Sequence, residues 1–179
     1  MPAYLLKKRT GIQPIVINSE HKQYNFIGHV FKIVSGLIAV NIIVLFFFEK
    51  HLYYLIPFLQ LDNTGWHFPL GAMLVAGSLI WIVFSQQQMA NSWRIGIDTK
   101  NKTELVSNGV FSISRNPIYL GLIFCFTGIF FLMPNLLVLI VTILGIICIF
   151  IQVKMEESFL EKTFGQQYLK YKKKVRRWI

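Results

Sequence analysis

Apolar residues occur along this chain in four long runs, and polar segments separate the runs from one another. The runs cover residues 30–48, 68–84, 118–133 and 136–153, and strongly polar side chains are rare inside them. A transmembrane helix needs about 20 mostly apolar residues, because each residue of an α-helix adds about 1.5 Å. The pattern predicts an all-α integral membrane protein with about four transmembrane helices.

The segments between the runs indicate how the helices connect. Residues 52–61 are apolar but too few to cross a bilayer, and Pro57 interrupts them, which favours an interfacial or re-entrant segment. The polar residues 91–108 are expected to form a cytosolic connector before the third span. A turn at residues 133–135, with Pro134 at its centre, predicts that the last two spans return antiparallel as a hairpin.

Helix-start signals precede the third span. The Asn-Gly pair at residues 108–109 favours a turn, because both residue types tolerate positive φ. Asn116 is a good N-cap, and Pro117 suits the first helical turn, where a missing N–H costs nothing. Arg115 is therefore expected at the mouth of an apolar helix, with Tyr119 one turn further on nearly the same face.

The C-terminal residues 154–179 are predicted to form two amphipathic helices. Apolar and aromatic side chains recur there at near-helical spacing, and Gly165 is expected to end the first helix. Six lysines and arginines after residue 169 supply a basic face that suits anionic lipid.

Composition and charge support the membrane class. Hydrophobic residues make up 54% of the chain and the mean hydropathy is +0.53, which exceeds what a soluble globule needs. The net charge of +10 does not indicate nucleic-acid binding, because the basic residues flank the apolar runs, as expected beside anionic headgroups. Cys125 and Cys148 lie inside apolar runs and are expected to act as small hydrophobic side chains.

Length and charge placement also predict one domain and its orientation. Residues 1–26 lack the apolar run of a signal peptide and are expected to form a cytosolic segment, followed by a single domain over residues 27–179. With four spans, the N-terminus, the connector and the tail share one side of the membrane. That side holds all of the 18 Lys and Arg residues except Lys50, so both termini are predicted to be cytoplasmic.

Two polar clusters are expected to meet at this cytoplasmic face. One is the segment 115–119 at the start of the third span, and the other is the pair Glu156-Glu157 at the end of the fourth. The hairpin makes these ends neighbours, and ionisable groups at this depth are usually paired or functional. An alternative interpretation is that Arg115 only anchors the helix by pairing with a glutamate, and that Tyr119 only belongs to an aromatic belt.

Other chemistries find little support in the sequence. The four histidines show no metal-ligand spacing, so no metal site is expected. No nucleotide-binding or hydrolase motif of the soluble type is present either.

Three segments together resemble the isoprenylcysteine carboxyl methyltransferase family and its phospholipid methyltransferase relatives. They are SWRIGID at residues 92–98, TELVSNGVFSISRNPIYLG at 103–121 and EESFLEKTFGQQYLKYKKKVRRW at 156–178. The resemblance implies a membrane-embedded methyltransferase that uses S-adenosylmethionine without a Rossmann domain. The cofactor pocket would open to the cytosol, and a lipophilic acceptor would enter laterally from the bilayer.

The resemblance also implies roles for individual residues. Arg115, Glu156 and Glu157 would be catalytic. The residues around the cofactor would be Gly109, Phe111, Arg115, Asn116, Pro117, Tyr119, Leu120 and Tyr168. The residues that contact the acceptor would be Trp93, Arg94 and Lys154.

Two positions depart from the pattern of the family. Asn116 stands where many members have histidine, and because an amide does not titrate near neutrality, no proton shuttle is expected there. Lys154 is the nearest basic residue before the glutamate pair and lacks the planar fork of arginine. The acceptor is therefore left open between an isoprenylcysteine carboxylate and a phospholipid headgroup.

Two other functions are compatible with the sequence. An NADPH-dependent membrane reductase of the steroid or sterol type has a similar pattern of arginine, proline and tyrosines near its C-terminus. A non-enzymatic membrane scaffold, in which the polar clusters only pair with each other, is the other alternative.

Overall fold

The computed structural model describes two continuous parts of the chain, residues 65–89 and 105–179. It also describes four isolated helical positions in the first apolar run, namely Gly36, Ala39, Val40 and Ile43. The predictions for residues 1–26, for the short run 52–61 and for Trp93 and Arg94 lie outside the described residues.

The described residues are helical, and no strand occurs in residues 65–89 or 105–179. The elements are α1 (His67–Met89), a short 3-10 helix (Gly109–Ser112), α2 (Pro117–Leu132), α3 (Leu136–Phe164) and α4 (Gln166–Lys174). The predicted all-α class is confirmed for this part of the chain.

Helix α1 corresponds to the second predicted span and continues past its apolar end. It runs for 23 residues to Met89, so the polar residues 85–88 extend the helix. The hydroxyl groups of Ser78 and Ser85 donate to backbone carbonyls of their own helix, at 2.8 and 2.7 Å. These bonds keep two buried hydroxyls satisfied within an otherwise apolar helix.

Helices α2 and α3 form the predicted hairpin. Pro117 occupies the first turn of α2, and only residues 133–135 separate the two helices. The Asn135 side chain caps α3 by accepting from the Val138 N–H at 2.9 Å. The start of α2 meets the far end of the apolar part of α3, which makes the helices antiparallel.

Helix α3 is longer than the predicted fourth span. It continues without a break from Leu136 to Phe164, so the first of the two predicted tail helices is the end of α3 and does not begin as a separate helix at residue 154. Residues 154–164 contain no glycine or proline, and a helix propagates through such a segment at little cost. Gly165, at a φ of 51°, ends α3 as predicted, and α4 is the separate tail helix.

Two of these helices are long and apolar enough to cross a membrane. They are α1 and α3, while α2 is apolar but has only 16 residues. Large apolar side chains on their outer faces are exposed, as Met73 (65%) and Ile80 (72%) illustrate on α1. These faces suit a lipid environment.

Helices α1 and α2 pack closely through glycines. Gly71 is buried on α1, and a Cβ at this position would lie 2.8 Å from both the Gly128 carbonyl oxygen and the Leu132 nitrogen. The two helices run antiparallel, since His67 Nδ1 lies 3.0 Å from the Phe131 carbonyl oxygen while Trp81 contacts the start of α2. Small residues at a helix crossing permit this close approach of backbones.

Replacing Gly71 by alanine should destabilise the protein, because the atoms that the new methyl group meets belong to the backbone of α2. We expect a loss of about 1–3 kcal/mol, seen as a lower midpoint of thermal unfolding in detergent. Gly77→Ala is the matched control, since no described atom lies within 4 Å of its Cβ position and both changes raise helix propensity equally. Equal midpoints for the two variants would contradict the packing argument.

Helix α4 folds back along the end of α3. Tyr168, Tyr171 and Val175 form a buried cluster against Leu160 and Phe164 of α3. Beyond α4, Trp178 packs edge-on against Phe150, with ring centroids 5.2 Å apart. The apolar face of α4 is therefore used within the protein, and its lysines lie on the opposite face.

Candidate active site

The centre of the site is the Glu157 carboxylate, which is only 4% exposed. Its Oε1 atom accepts from Asn116 Nδ2 at 3.0 Å and lies 3.5 Å from Arg115 Nη2. Its Oε2 atom accepts from Arg177 Nε at 3.1 Å and Nη2 at 2.8 Å. One carboxylate thus lies between two guanidinium groups, and the cluster carries a surplus positive charge.

Arg115 uses only part of its donor capacity in this cluster. Its side chain is 8% exposed, and its Nε and Nη1 atoms are buried without a hydrogen-bond partner in the described part of the chain. The buried hydroxyl of Tyr168 lies beside the Arg115 guanidinium and finds no acceptor for its proton in that part of the chain. Unpaired buried donors are rare in folded proteins, and each one requires an explanation such as a missing ligand.

The electrostatics of the two tail tyrosines reflect this environment. Burial raises the pKa of Tyr168 to about 12, and the Glu157 charge adds to the effect, while the charge of the Arg115 guanidinium and a hydrogen bond from it act in the opposite direction. Burial also raises the pKa of Tyr171, with a further contribution from Tyr168. Both tyrosines are therefore neutral hydrogen-bond donors at physiological pH.

A second polar pair lies beside the Glu157 cluster. The Tyr119 hydroxyl donates to Glu156 Oε2 at 2.6 Å, which joins the first turn of α2 to α3. Glu156 and Glu157 are adjacent on α3, so their side chains point about 100° apart. The predicted proximity of the two polar segments is confirmed. Tyr119 in α2 binds Glu156, and Arg115 and Asn116 just before α2 bind Glu157.

The loop before α2 is fixed by contacts with α1 and α4. Gly109 has a φ of 59°, and a Cβ there would collide with the Gln88 side chain. Gln88 Oε1 accepts from the Val110 N–H at 2.7 Å, and the Tyr171 hydroxyl donates to the Phe111 carbonyl oxygen at 2.6 Å. Of the predicted turn pair, only Gly109 takes a positive φ, whereas Asn108 is extended at −108°.

The start of α2 is tied to α1 in the same way. Trp81 Nε1 donates to the Pro117 carbonyl oxygen at 2.8 Å. Asn116 occupies the N-cap position, but its side chain makes no capping hydrogen bond. The capping role predicted for Asn116 was therefore wrong, because its amide donates to Glu157 instead.

The C-terminal residues 175–179, which we call the strap, close this side of the site. The Arg115 N–H donates to the Arg176 carbonyl oxygen at 3.0 Å, and the Ser114 hydroxyl donates to the Arg177 carbonyl oxygen at 3.2 Å. The hydrogen bonds to Glu157 raise the pKa of Arg177 further above its ordinary value, so this residue stays charged. The strap thus supplies backbone carbonyl acceptors for the segment before α2 and a cation for Glu157.

An open groove of about 390 Å³ lies between the end of α3, α4 and the strap. Its lining residues are Lys154, Glu157, Ser158, Glu161, Lys162, Lys172 and Arg177. Lys154, predicted to contact the acceptor, therefore faces this groove and does not join the Arg115 cluster.

The structure brings most of the predicted site residues together. Arg115, Asn116 and Glu157 form the cluster, Tyr119 and Glu156 form the pair beside it, and Tyr168 lies next to Arg115. Pro117 and Leu120 follow Asn116 at the start of α2, while Gly109 and Phe111 lie in the loop held by Gln88 and Tyr171. Among them, Phe111, Asn116, Leu120 and Tyr168 are buried, at 7%, 7%, 8% and 1% exposure.

Sequence reasoning missed five residues that hold the site. They are Trp81, Gln88, Ser114, Tyr171 and Arg177. Arg177 is one cation in a basic run, and nothing in the pattern distinguishes it from its neighbours. Gln88 gave a weak signal, as a polar residue near the end of an apolar helix.

Comparison with known proteins gives a consistent assignment. The sequence model of the phospholipid methyltransferase family matches residues 66–167, more than half of the chain. The protein-S-isoprenylcysteine O-methyltransferase of Saccharomyces cerevisiae is 31% identical over 109 residues, covering 59% of this chain and 46% of that protein. An uncharacterized protein of Haemophilus influenzae is 54% identical over 28 residues, covering 16% of this chain and 44% of that protein.

The chain spans less than half the length of these two relatives, and no solved structure gives a significant match. The family match contains the loop before α2 and the whole α2–α3 hairpin, whereas Tyr168 and Arg177 lie beyond its end. The resemblance inferred from the three sequence segments is confirmed. The chain belongs to the phospholipid methyltransferase family.

Proposed function

We propose that this protein is an S-adenosylmethionine-dependent membrane methyltransferase that acts on a lipophilic acceptor. The observation that carries the proposal is a set of buried donors without an acceptor in the described part of the chain, namely Arg115 Nε, Arg115 Nη1 and the Tyr168 hydroxyl. They lie beside a carboxylate that is already saturated by two guanidiniums and an amide. The cluster therefore lacks an anion, and a ligand carboxylate would complete it.

The donor set fits the amino-acid end of the cofactor. Its carboxylate needs charge-assisted hydrogen bonds, and a buried arginine with two free N–H positions is a strong partner for such a group. A neutral phenol such as Tyr168 adds a donor without adding charge. Phe111 and Leu120 are buried in the same region and supply apolar surface. When bound, the cofactor supplies an electrophilic methyl group on a sulfonium.

The residues of this chain would then orient the reactants and exclude water. Glu157 holds Arg115 and Arg177 in position, and the strap covers the start of α2. Glu156 is kept close to the reaction centre by Tyr119, and it can hold a polar group of the acceptor or accept a proton from an amine. A carboxylate acceptor would need no base, only the removal of its water.

The membrane arrangement that supports this function has about four spans with both termini in the cytoplasm. Helices α1 and α3 supply two spans by length and composition, and α2 returns between them as an apolar helix. An acceptor with a lipid tail could reach the polar end of the α2–α3 hairpin from the bilayer. The acceptor class is isoprenylcysteine carboxylate-like or phospholipid-headgroup-like.

Cofactor binding by the detergent-purified protein tests the proposal. We expect isothermal titration to show saturable binding of S-adenosylhomocysteine and no binding of NADPH. Binding of NADPH alone would favour a membrane reductase. Binding of neither compound would favour a scaffold, in which the buried cluster only stabilises the fold.

The acceptor can be identified separately. The purified protein would be incubated with methyl-labelled cofactor and either a farnesylcysteine derivative or a phospholipid extract. Label in the organic phase as a base-labile ester indicates a carboxylate acceptor, whereas base-stable label indicates N-methylation. A protein that binds the cofactor but labels neither substrate would contradict both acceptor classes.

A further inference from the structure

The basic residues of α4 and the strap lie at different depths along the membrane normal, because contacts with successive turns of α3 fix their positions. Three contacts tie the tail to α3, and each lies closer to the membrane than the one before. Lys172 Nζ lies 3.0 Å from Glu161 Oε2, Arg177 Nη2 lies 2.8 Å from Glu157 Oε2, and Trp178 packs on Phe150. The tail therefore runs back along α3 toward the apolar residues.

The rise of about 1.5 Å per residue along α3 gives the depth of each contact relative to the end of the apolar run. The apolar run ends at Val153, so Phe150 lies about 4–5 Å inside it, while Glu157 and Glu161 lie about 6 and 12 Å beyond it. The headgroup layer on each side of a bilayer is about 5–8 Å thick. The tail from Lys172 to Trp178 therefore crosses this layer, with Trp178 at its lower edge, where tryptophan is favoured.

The cations along this path are free to bind a ligand. Lys173, Lys174 and Arg176 are exposed, as is Lys154 at the membrane end of the same region. None of the four forms an ion pair in the described part of the chain, because Glu157 is taken by Arg115 and Arg177 and Glu161 by Lys172. The apolar face of α4 is already buried against α3, so α4 has no free apolar face to insert into lipid.

The groove beside the strap adds a shaped site to this charge. Four basic and two acidic residues line its volume of about 390 Å³, and both acidic residues are paired with groove cations. Lys154 and Lys162 thus remain as surplus charge in this concave surface, and Lys154, one residue after Val153, lies at headgroup depth. A phosphate on a glycerol backbone matches both the charge and the location.

We infer that the surface formed by Lys154, Lys173, Lys174 and Arg176 binds the headgroup phosphates of anionic glycerophospholipids. The backbone carbonyls of the strap hold the segment before α2, so lipid bound here stabilises the arrangement of Ser114 and Arg115. The inference depends on the position of α3 in the membrane. It does not depend on methyl transfer, and its test contains neither cofactor nor acceptor.

Thermal unfolding of the full chain in neutral detergent tests this inference. Adding phosphatidylglycerol should raise the unfolding midpoint by on the order of 5 °C at low salt, and phosphatidylcholine at the same concentration should not. The rise should disappear at about 1 M salt, where the Debye length is about 3 Å. An equal rise with both lipids, or one that persists at high salt, would overturn the inference.

Two variants locate the effect. In Lys173→Glu/Lys174→Glu/Arg176→Glu the rise should be lost, while the exposed positions allow the variant to fold. The matched control Lys173→Arg/Lys174→Arg/Arg176→Lys keeps every charge and should keep the rise. Glycerophosphate without acyl chains should have no effect at the same phosphate concentration, and an equal rise with it would assign the site to a soluble anion.

Discussion

The Glu157→Gln variant should lose about 3–5 kcal/mol of stability. The carboxylate is the common partner of the buried Arg115 and of the partly exposed Arg177, and the amide would leave Arg115 buried without a counter-charge. Removing one partner of a buried ion pair is costly because the remaining charge cannot return to water. Thermal unfolding in detergent should show the loss as a large drop in the midpoint.

Glu161→Gln is the control for this prediction. Glu161 lies one turn further along α3 and pairs with Lys172, but both side chains are about two-fifths exposed, at 41% and 40%. Exposed pairs of this kind contribute about 0–1 kcal/mol, so the midpoint should change little. Similar losses for the two variants would show that burial of Glu157 does not control its contribution.

The Arg115→Lys variant should bind S-adenosylhomocysteine about 10–100-fold more weakly. Lysine keeps the positive charge near Glu157, but it cannot present the Nε and Nη1 donors that are unpaired in the structure. A hydrogen bond to a charged group contributes about 1.5–3 kcal/mol, which corresponds to this loss of affinity. Isothermal titration gives the affinity, and thermal unfolding of the same sample shows how much structure is retained.

Two further variants separate ligand binding from folding. Arg176→Lys makes the same exchange at an exposed position of the strap and should leave the affinity unchanged. Tyr168→Phe should lower the affinity with little change in stability, because the proton of this buried hydroxyl has no acceptor in the described residues. Wild-type affinity in both Arg115→Lys and Tyr168→Phe would remove these side chains from the cofactor site.

The elements of the fold that depend on local signals were predictable. Pro117 at the start of α2, residues 133–135 between the hairpin helices and Gly165 at the end of α3 all act within one helical turn. The proximity of Glu156 and Glu157 to the start of α2 also followed, because a short hairpin aligns the ends of its two helices.

The predictions that failed concern choices between competing local partners. Asn116 suits an N-cap by residue type, yet its amide donates to a carboxylate 41 positions away. The end of α3 resembled a separate amphipathic helix, yet nothing in residues 154–164 interrupts the helix that enters it. The side chain of Asn116 was decided by a distant contact, and the start of the tail was decided by the helix that precedes it.

The sequence by itself determined the helices, the hairpin, the family and the two polar segments of the site, because these depend on apolar run length, turn residues and motif order. Only the tertiary structure decided which polar atoms are satisfied. The strap brings Arg177 to Glu157, while two nitrogens of Arg115 have no partner and the Tyr168 hydroxyl has no acceptor among the described residues. That outcome depends on the rotation of α3 and on the return of the tail along it, and hydrogen bonds respond to shifts of a few tenths of an ångström, which residue order does not specify.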